Sequence, residues 1–209
     1  VDTRLILTNA VYFKGDWKFE FKKKETKKKD FYTPDGKVKV DMMFQKGGFS
    51  YVENELYQAI KLPYKGGKQS MIVILPKANM ADVESKLSQY DISRALTGYE
   101  ANVNVHLPKF KLEYLEYFNK YLIEKGMKQS FGGGADFSGM LTQEPLWIDQ
   151  VIHKSFIEVS EEGTEAAAAT AVVMTTESLS TSKPKDIEFN ANKPFLFFVM
   201  DDATESILF

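Results

Sequence analysis

Apolar and polar residues alternate with a period of two along most of this chain, and stretches with a period near three or four are short. Leu5 to Phe13 reads LILTNAVYF, an apolar, β-branched run bounded by Gly15. It predicts a strand buried on both faces, with one polar residue, Asn9, inside it. Phe31 to Phe44 alternates around Thr33-Pro34-Asp35-Gly36, with Val38, Val40 and Met42 on one face, which predicts two strands joined by a tight turn. Phe49 to Leu56, Gln58 to Leu62 and Ser70 to Leu75 extend this into an antiparallel meander, whose most buried piece is Ile72 to Leu75. Val103 to Leu107 alternates strictly, meets Pro108, and is expected to continue through Phe110 and Leu112 as one long strand. Leu146 to Val159 reads as a further strand. Pro194 to Met200 and Ser206 to Phe209 read as a buried hairpin about Asp201-Asp202-Ala203-Thr204. Helical spacing is confined to Met80 to Leu87, Asp91 to Leu96 and Tyr117 to Lys125, the last stopped by Gly126 as a C-cap. The expected class is α+β: one domain of predominantly antiparallel sheets with a few short helices and no internal repeat.

Composition narrows the chemistry. The chain has 209 residues, 44% of them hydrophobic and 27% charged, as an ordinary folded protein does. Lys and Arg number 27 against 29 Asp and Glu, so bulk charge offers no attraction for nucleic acid or an anionic membrane. The absence of cysteine excludes disulfides, thiolate zinc sites and a cysteine nucleophile. No uninterrupted apolar run reaches the ~20 residues a membrane-spanning helix needs. An enzyme is disfavoured: the two histidines, His106 and His153, are far apart, and no Gly-x-Ser-x-Gly elbow surrounds Ser138 or any other serine. Gly132-Gly133-Gly134 lacks a following Gly-Lys-Ser/Thr and reads as a flexible turn, and Asp201-Asp202 reads as a solvated turn rather than a metal site.

Residues 160–186, SEEGTEAAAATAVVMTTESLSTSKPKD, stand apart as a small-residue stretch between two strongly apolar strands. A connection this long is uncommon in a compact domain unless it is functional or disordered. It can be read as a solvated linker, or as an Ala-rich helix from Glu161 to Ala171. Read instead as an extended strand, Thr164, Ala166, Ala168 and Thr170 share one small, uncharged face while Glu165 lies on the other. Such a face can leave water and enter a sheet without burying a charge, and Gly163 sits where the chain would bend to do so.

The stretch Val151-Ile152-His153-Lys154, continuing through Glu161-Glu162-Gly163-Thr164-Glu165-Ala166-Ala167-Ala168-Ala169-Thr170, resembles the proximal hinge of the reactive-centre loop of inhibitory serpins. Thr8-Asn9-Ala10-Val11-Tyr12-Phe13-Lys14-Gly15-Asp16-Trp17 resembles the family's central-sheet strand and breach tryptophan. Leu62-Pro63-Tyr64-Lys65-Gly66, Leu107-Pro108-Lys109-Phe110 and Ala135-Asp136-Phe137-Ser138-Gly139 are similar in the same order, as are Lys193-Pro194-Phe195-Leu196-Phe197 and Ser206-Ile207-Leu208-Phe209.

The resemblance implies a serpin fold, of which residues 1–209 are the C-terminal part of a single domain with a reactive-centre loop at about 161–186. The N-terminal half of the same serpin is then a partner, because the resemblance implies a chain about twice as long, with several helices and sheet strands before Val1. The activity implied is that of a suicide substrate: a serine-type or cysteine-type endopeptidase cleaves the loop, and the hinge inserts into the central sheet. No catalytic residue, cofactor or metal is expected. Family spacing places the reactive bond at Glu177-Ser178, with Met174 and Leu179 as alternatives, since the stretch before Phe189 is longer than in many relatives. The hinge comprises Glu161, Gly163, Thr164, Glu165, Ala166, Ala167, Ala168, Ala169 and Thr170. Asn9 and His153 match the shutter pair, Trp17 and Phe21 match the breach, and Lys109 matches the partner of Glu161 in a breach ion pair.

The alternative is a non-inhibitory serpin acting as a carrier, a chaperone or a polyanion-binding protein. Carriers typically hold bulky or charged residues or proline in the hinge, where this chain has four alanines. Lys22, Lys23, Lys24, Lys27, Lys28 and Lys29, with Lys18 nearby, form a basic stretch that fits a heparin-like polyanion or, more plainly, a solvated strand edge. Family prevalence implies an extracellular, secreted protein, with the cytoplasm as the alternative.

Overall fold

The computed structural model describes residues 5–140, 144–164 and 186–209. Among them the order of elements is β1 (Ile6–Tyr12), β2 (Gly15–Asp16), a 3-10 turn (Lys23–Glu25), β3 (Lys27–Thr33), β4 (Gly36–Glu53), β5 (Tyr57–Pro63) and β6 (Gln69–Pro76). Then come α1 (Met80–Lys86), α2 (Gln89–Leu96), β7 (Tyr99–Pro108), β8 (Phe110–Tyr117), α3 (Asn119–Glu124) and a second 3-10 turn (Gln129–Phe131). The last strands are β9 (Gln150–Val159), β10 (Gly163–Thr164), β11 (Ile187–Asn190) and β12 (Leu196–Asp201). The chain divides into two units, residues 1–13 with 111–157, and residues 14–110 with 158–209.

The larger unit is built on a seven-stranded sheet in the order β11-β7-β4-β5-β6-β12, with β3 also paired to β4. Period-two patterning fixes its register: β5 and β6 pair from Tyr57 with Pro76 to Pro63 with Ser70. Ile72, Val73, Ile74 and Leu75 are all buried, as an apolar run covered on both faces must be. One face is covered by α1 and α2, whose Val83, Ile92, Ala95 and Leu96 pack with Val52, Tyr57, Ala59, Ile72 and Ile74. Local signals start both helices. The Asn79 side chain accepts from Asp82 N at 2.8 Å, and Ser88 and Asp91 form a reciprocal capping box. The β3–β4 turn is the tight one expected at Pro34-Asp35, with Thr33 Oγ1 donating to Gly36 O at 3.0 Å.

In the smaller unit β1 runs parallel to β9, from Ile6 beside Gln150 to Tyr12 beside Phe156. Helix α3 is tied to β9 by Asn119, which donates to Asp149 O at 2.7 Å and accepts from Val151 N at 2.8 Å. Gly126 follows it with φ +105°, the conformation of the expected C-cap.

Four expectations change. β1 is not buried on both faces: Ile6, Leu7 and Tyr12 are exposed, because the elements of its own unit pair it along one edge and cover little of either face. Phe31 to Phe44 and Phe49 to Leu56 are not separated at their join, since β4 runs unbroken for 18 residues through Gly47-Gly48, held by β7 from Met42 to Tyr51. The strand around Pro108 is two strands. β7 lies in the large sheet, Lys109 N turns to Asp41 O at 2.8 Å, and β8 pairs with β9. The terminal hairpin forms, with Met200 bridged to Ile207, but Ile207 and Leu208 are exposed, and only its β12 arm enters the core through Val199 and Met200.

Candidate functional site

The site is a small, closed junction in the larger unit, where the chain leaves β9 and returns through β10. Ser160 and Gly163 clamp the turn: Ser160 N donates to Gly163 O at 2.8 Å, and Gly163 N donates back to Ser160 O at 3.3 Å. Gly163 has φ +151°, which L side chains rarely adopt. A Cβ there would collide with the Gly15 carbonyl oxygen and lie 2.5 Å from Asp16 Cα. That close approach lets β10 pair with β2, Gly163 opposite Asp16 and Thr164 opposite Gly15, while Thr164 also pairs with Val159 of β9. Thr164 is completely buried, and its hydroxyl shares a 2.9 Å hydrogen bond with that of Tyr64.

Aromatic rings form the wall. Trp17, 1% exposed, stacks on Tyr64 with centroids 4.6 Å apart and rings 8° from parallel, and Phe21 meets Trp17 edge-on at 6.2 Å. The Trp17 indole N–H donates to Ser160 O at 2.9 Å, so the ring also anchors the turn. Burial pushes the Tyr64 phenol well above its usual pKa, so it stays a neutral hydroxyl able to partner Thr164. The backbone repeats the anchoring: Trp17 N donates to Glu162 O at 3.0 Å and Phe21 N to Glu161 O at 2.8 Å.

Glu161 supplies the charge. Its side chain is 6% exposed and receives Lys109 Nζ at 2.8 Å on one oxygen, while the other accepts from Thr26 Oγ1 at 2.8 Å. Burial works against this carboxylate, but the bonds from Lys109, from backbone and from Thr26 outweigh it and hold its pKa below the usual carboxylate value. Beside it Glu162 pairs with Lys23, and the hydrogen bond that Lys23 donates to Glu162 raises the lysine pKa. Two adjacent acids are thus tied to the chain just before β3.

Of the residues singled out in the sequence, Trp17, Phe21, Lys109, Glu161, Gly163 and Thr164 meet at this junction. Asn9 and His153 are elsewhere, as register partners on β1 and β9 in the smaller unit, with side chains on the same face of the parallel pair. Among the described residues no side-chain hydrogen bond joins them, and the His153 ring stacks on Phe118 at 4.9 Å. Glu165, Ala166, Ala167, Ala168, Ala169, Thr170, Met174, Glu177, Ser178 and Leu179 lie outside the described residues. Tyr64, Thr26 and Ser160 are participants to which sequence reasoning assigned no role, and Lys23 is one it placed only in the basic stretch. Tyr64 carries the one usable signal, since a buried tyrosine hydroxyl calls for a partner.

The basic stretch is partly spoken for. Lys23 is held by Glu162, Lys28 by Asp41 at 2.9 Å, and Lys29 lies 3.2 Å from His106 Nδ1. Among the described residues no group of three or more His, Cys, Asp or Glu is placed to hold a metal ion, and no helix is long and apolar enough to cross a membrane.

Comparison with known proteins says which family this junction belongs to. The sequence model of the family described as serpin (serine protease inhibitor) matches residues 1–209. The chain belongs to the serpin family. It is 46% identical to an uncharacterised serpin-like protein of Thermococcus kodakarensis over 99% of this chain and 49% of that protein. It is 42% identical to the leukocyte elastase inhibitor of Xenopus tropicalis over 99% of this chain and 56% of the relative. Among solved structures it is similar to Serpin48 of the insect Tenebrio molitor, with a TM-score of 0.80 and 34% identity over 98% of this chain and 54% of that one. The chain thus spans about half the length of the relatives it matches. The α+β serpin fold is shared with these structures, and serpins are a family of protease inhibitors, not of enzymes.

Proposed function

We propose that the protein carrying this chain is a suicide-substrate inhibitor of a serine-type endopeptidase. Residues 1–209 would be the C-terminal part of a single serpin domain, completed by an N-terminal half. The supporting observation is Thr164: buried, neutral, hydrogen-bonded to Tyr64 and paired on both sides, it already makes the first contacts of a strand that can lengthen into the sheet. The next residues on that face of the sequence, Ala166, Ala168 and Thr170, bring no charge or bulk with them. Shutter, breach and hinge roles for Asn9 and His153, Trp17 and Phe21, and Glu161 with Lys109 follow from the same reading, as does a reactive bond at Glu177-Ser178. The elastase inhibitor of Xenopus, at 42% identity, is consistent with a serine-type target. Family prevalence favours a secreted protein.

The test uses the full-length protein and a panel of trypsin-, chymotrypsin-, elastase- and Glu-specific proteases. Inhibition predicts a complex stable in SDS, with a released peptide that begins at Ser178. A peptide beginning elsewhere moves the reactive bond to Met174 or Leu179. Cleavage throughout the loop with no complex at any protease would refute inhibition. A second reading, polyanion binding, is favoured by the exposure of Lys22, Lys24 and Lys27 on one short stretch. Salt-resistant retention on immobilised heparin supports it, and elution at low salt removes it.

A further inference from the structure

His106 lies away from this junction, on β7 of the large sheet, between charges of opposite sign. Lys29 Nζ of β3 is 3.2 Å from its Nδ1, and Glu188 Oε2 of β11 is 3.8 Å from its Nε2. The Phe44 ring of β4 packs against the imidazole at 4.8 Å. A lysine ammonium can only donate, so Nδ1 is the acceptor and the single ring proton sits on Nε2, facing Glu188. Asn104 of β7 donates to the other Glu188 oxygen, and Lys46 of β4 pairs with Asp186, so Lys29 and Glu188 are the charged groups that face the ring itself. β11 depends on β7 for its pairing, from Ile187 beside Val103 to Asn190 beside His106, and Ala191 N closes it by donating to His106 O at 2.9 Å.

We propose that His106 is a proton-operated selector that holds Lys29 of β3 when neutral and Glu188 of β11 when protonated. A second ring proton must go on Nδ1, where it meets the ammonium donor to donor and expels it, while the new charge draws the Glu188 carboxylate closer. Burial and Lys29 keep the imidazole pKa below its ordinary value and Glu188 opposes them, so the neutral, Lys29-bound form prevails at neutral pH. The sign follows: stability contributed by neutral His106 is complete above the unfolded value near about 6.5 and is lost as pH falls through the lower folded value. On acidification β3 therefore loses its hold on the ring while β11 gains one. β11 begins immediately after Asp186, at the far end of the stretch read above as the reactive-centre loop, yet the selector does not depend on that reading.

Hydrogen exchange on the intact protein tests this between about pH 7.5 and 5.5, where histidine titrates and carboxylates stay ionised. After correction for intrinsic rates, exchange in residues 27–33 should rise, and in 187–190 fall, by roughly two- to five-fold, the range for a partly exposed ion pair. His106→Gln, which can still accept from Lys29 but cannot titrate, should abolish both changes. Glu188→Gln, at an exposed position, should abolish only the fall in β11. Changes of the same sign in both strands, or a pH response that survives in His106→Gln, would overturn the selector.

Discussion

Replacing Gly163 by alanine tests whether the junction rests on close backbone approach or merely tolerates it. The substitution has two separable costs. A side chain at φ +151° strains the backbone by on the order of 1–3 kcal/mol wherever it occurs. At Gly163 the new Cβ also meets backbone that cannot swing aside: the Gly15 carbonyl oxygen, Asp16 Cα at 2.5 Å and Trp17 N at 2.9 Å. β10 must then lift from β2, giving up the Thr164–Tyr64 hydrogen bond. Loss of that buried bond adds about 0.5–1.5 kcal/mol. Gly36 supplies the control, because it has φ +136° with nothing within 4 Å of its Cβ position, and alanine there bears the strain alone. The assay is native-state hydrogen exchange of the full-length protein, read at Trp17 and Phe21, whose backbone N–H groups are held by Glu162 and Glu161. Gly163→Ala should lower the opening free energy there by about 1.5–4.5 kcal/mol, and Gly36→Ala should leave these two amides protected. Unchanged protection in Gly163→Ala would refute the close-approach argument.

Two further predictions concern the same junction. Thr164→Arg puts a charge into a completely buried position at a cost of several kcal/mol, so the full-length protein should be cleaved as a substrate without forming an SDS-stable complex; a complex at the normal yield would count against insertion through Thr164. Glu161→Gln removes a carboxylate whose folded pKa is depressed, so its contribution of on the order of 1 kcal/mol is present above the ordinary value near 4.3 and vanishes as pH falls through the folded one. Denaturation midpoints of wild type and variant should differ most at pH ~7, with the gap shrinking as pH falls below the ordinary carboxylate value, and a gap that does not change with pH would show that the charge is irrelevant.

How much of this was legible in the sequence depended on whether the deciding interaction was local. Turn and cap residues act within a few positions, which is why the Pro34-Asp35 turn, the start of α1, the end of α2 at Leu96 and the stop at Gly126 all stand where patterning put them, although α2 starts at Gln89, two residues before the expected Asp91. Ile72 to Leu75 was equally readable, because an apolar run enclosed by its own sheet and helices needs no distant information. β1 is also a largely apolar, β-branched run, but its burial depends on what covers it, and periodicity carries no record of that. The break at Lys109 was missed for a similar reason: Pro108 signals an interruption, whereas the change of pairing partner is set by Asp41 and β9.

The junction shows the same division in finer grain. Gly163 and Thr164 stood out because their neighbours are small and acidic, and the family resemblance gave them an order. Thr26 and Lys23 remained anonymous within a lysine-rich stretch, since nothing local distinguishes a hydroxyl or ammonium that meets Glu161 or Glu162 from one that meets water. What the structure adds is the reason two adjacent positions have such different requirements. Residue 163 must carry no Cβ, because β2 backbone occupies that space. Residue 164 must be small yet polar, because it is wholly buried against a tyrosine hydroxyl that burial keeps neutral. Alanine at 164 would fit the space and leave the phenol without its Thr164 bond, whereas valine would match the shape and forfeit the same bond. Serine would keep the bond and lose only a methyl contact. Only the two hydroxyl-bearing residues among these satisfy both conditions, and that double constraint, rather than smallness by itself, separates Thr164 from the alanines that follow it in sequence.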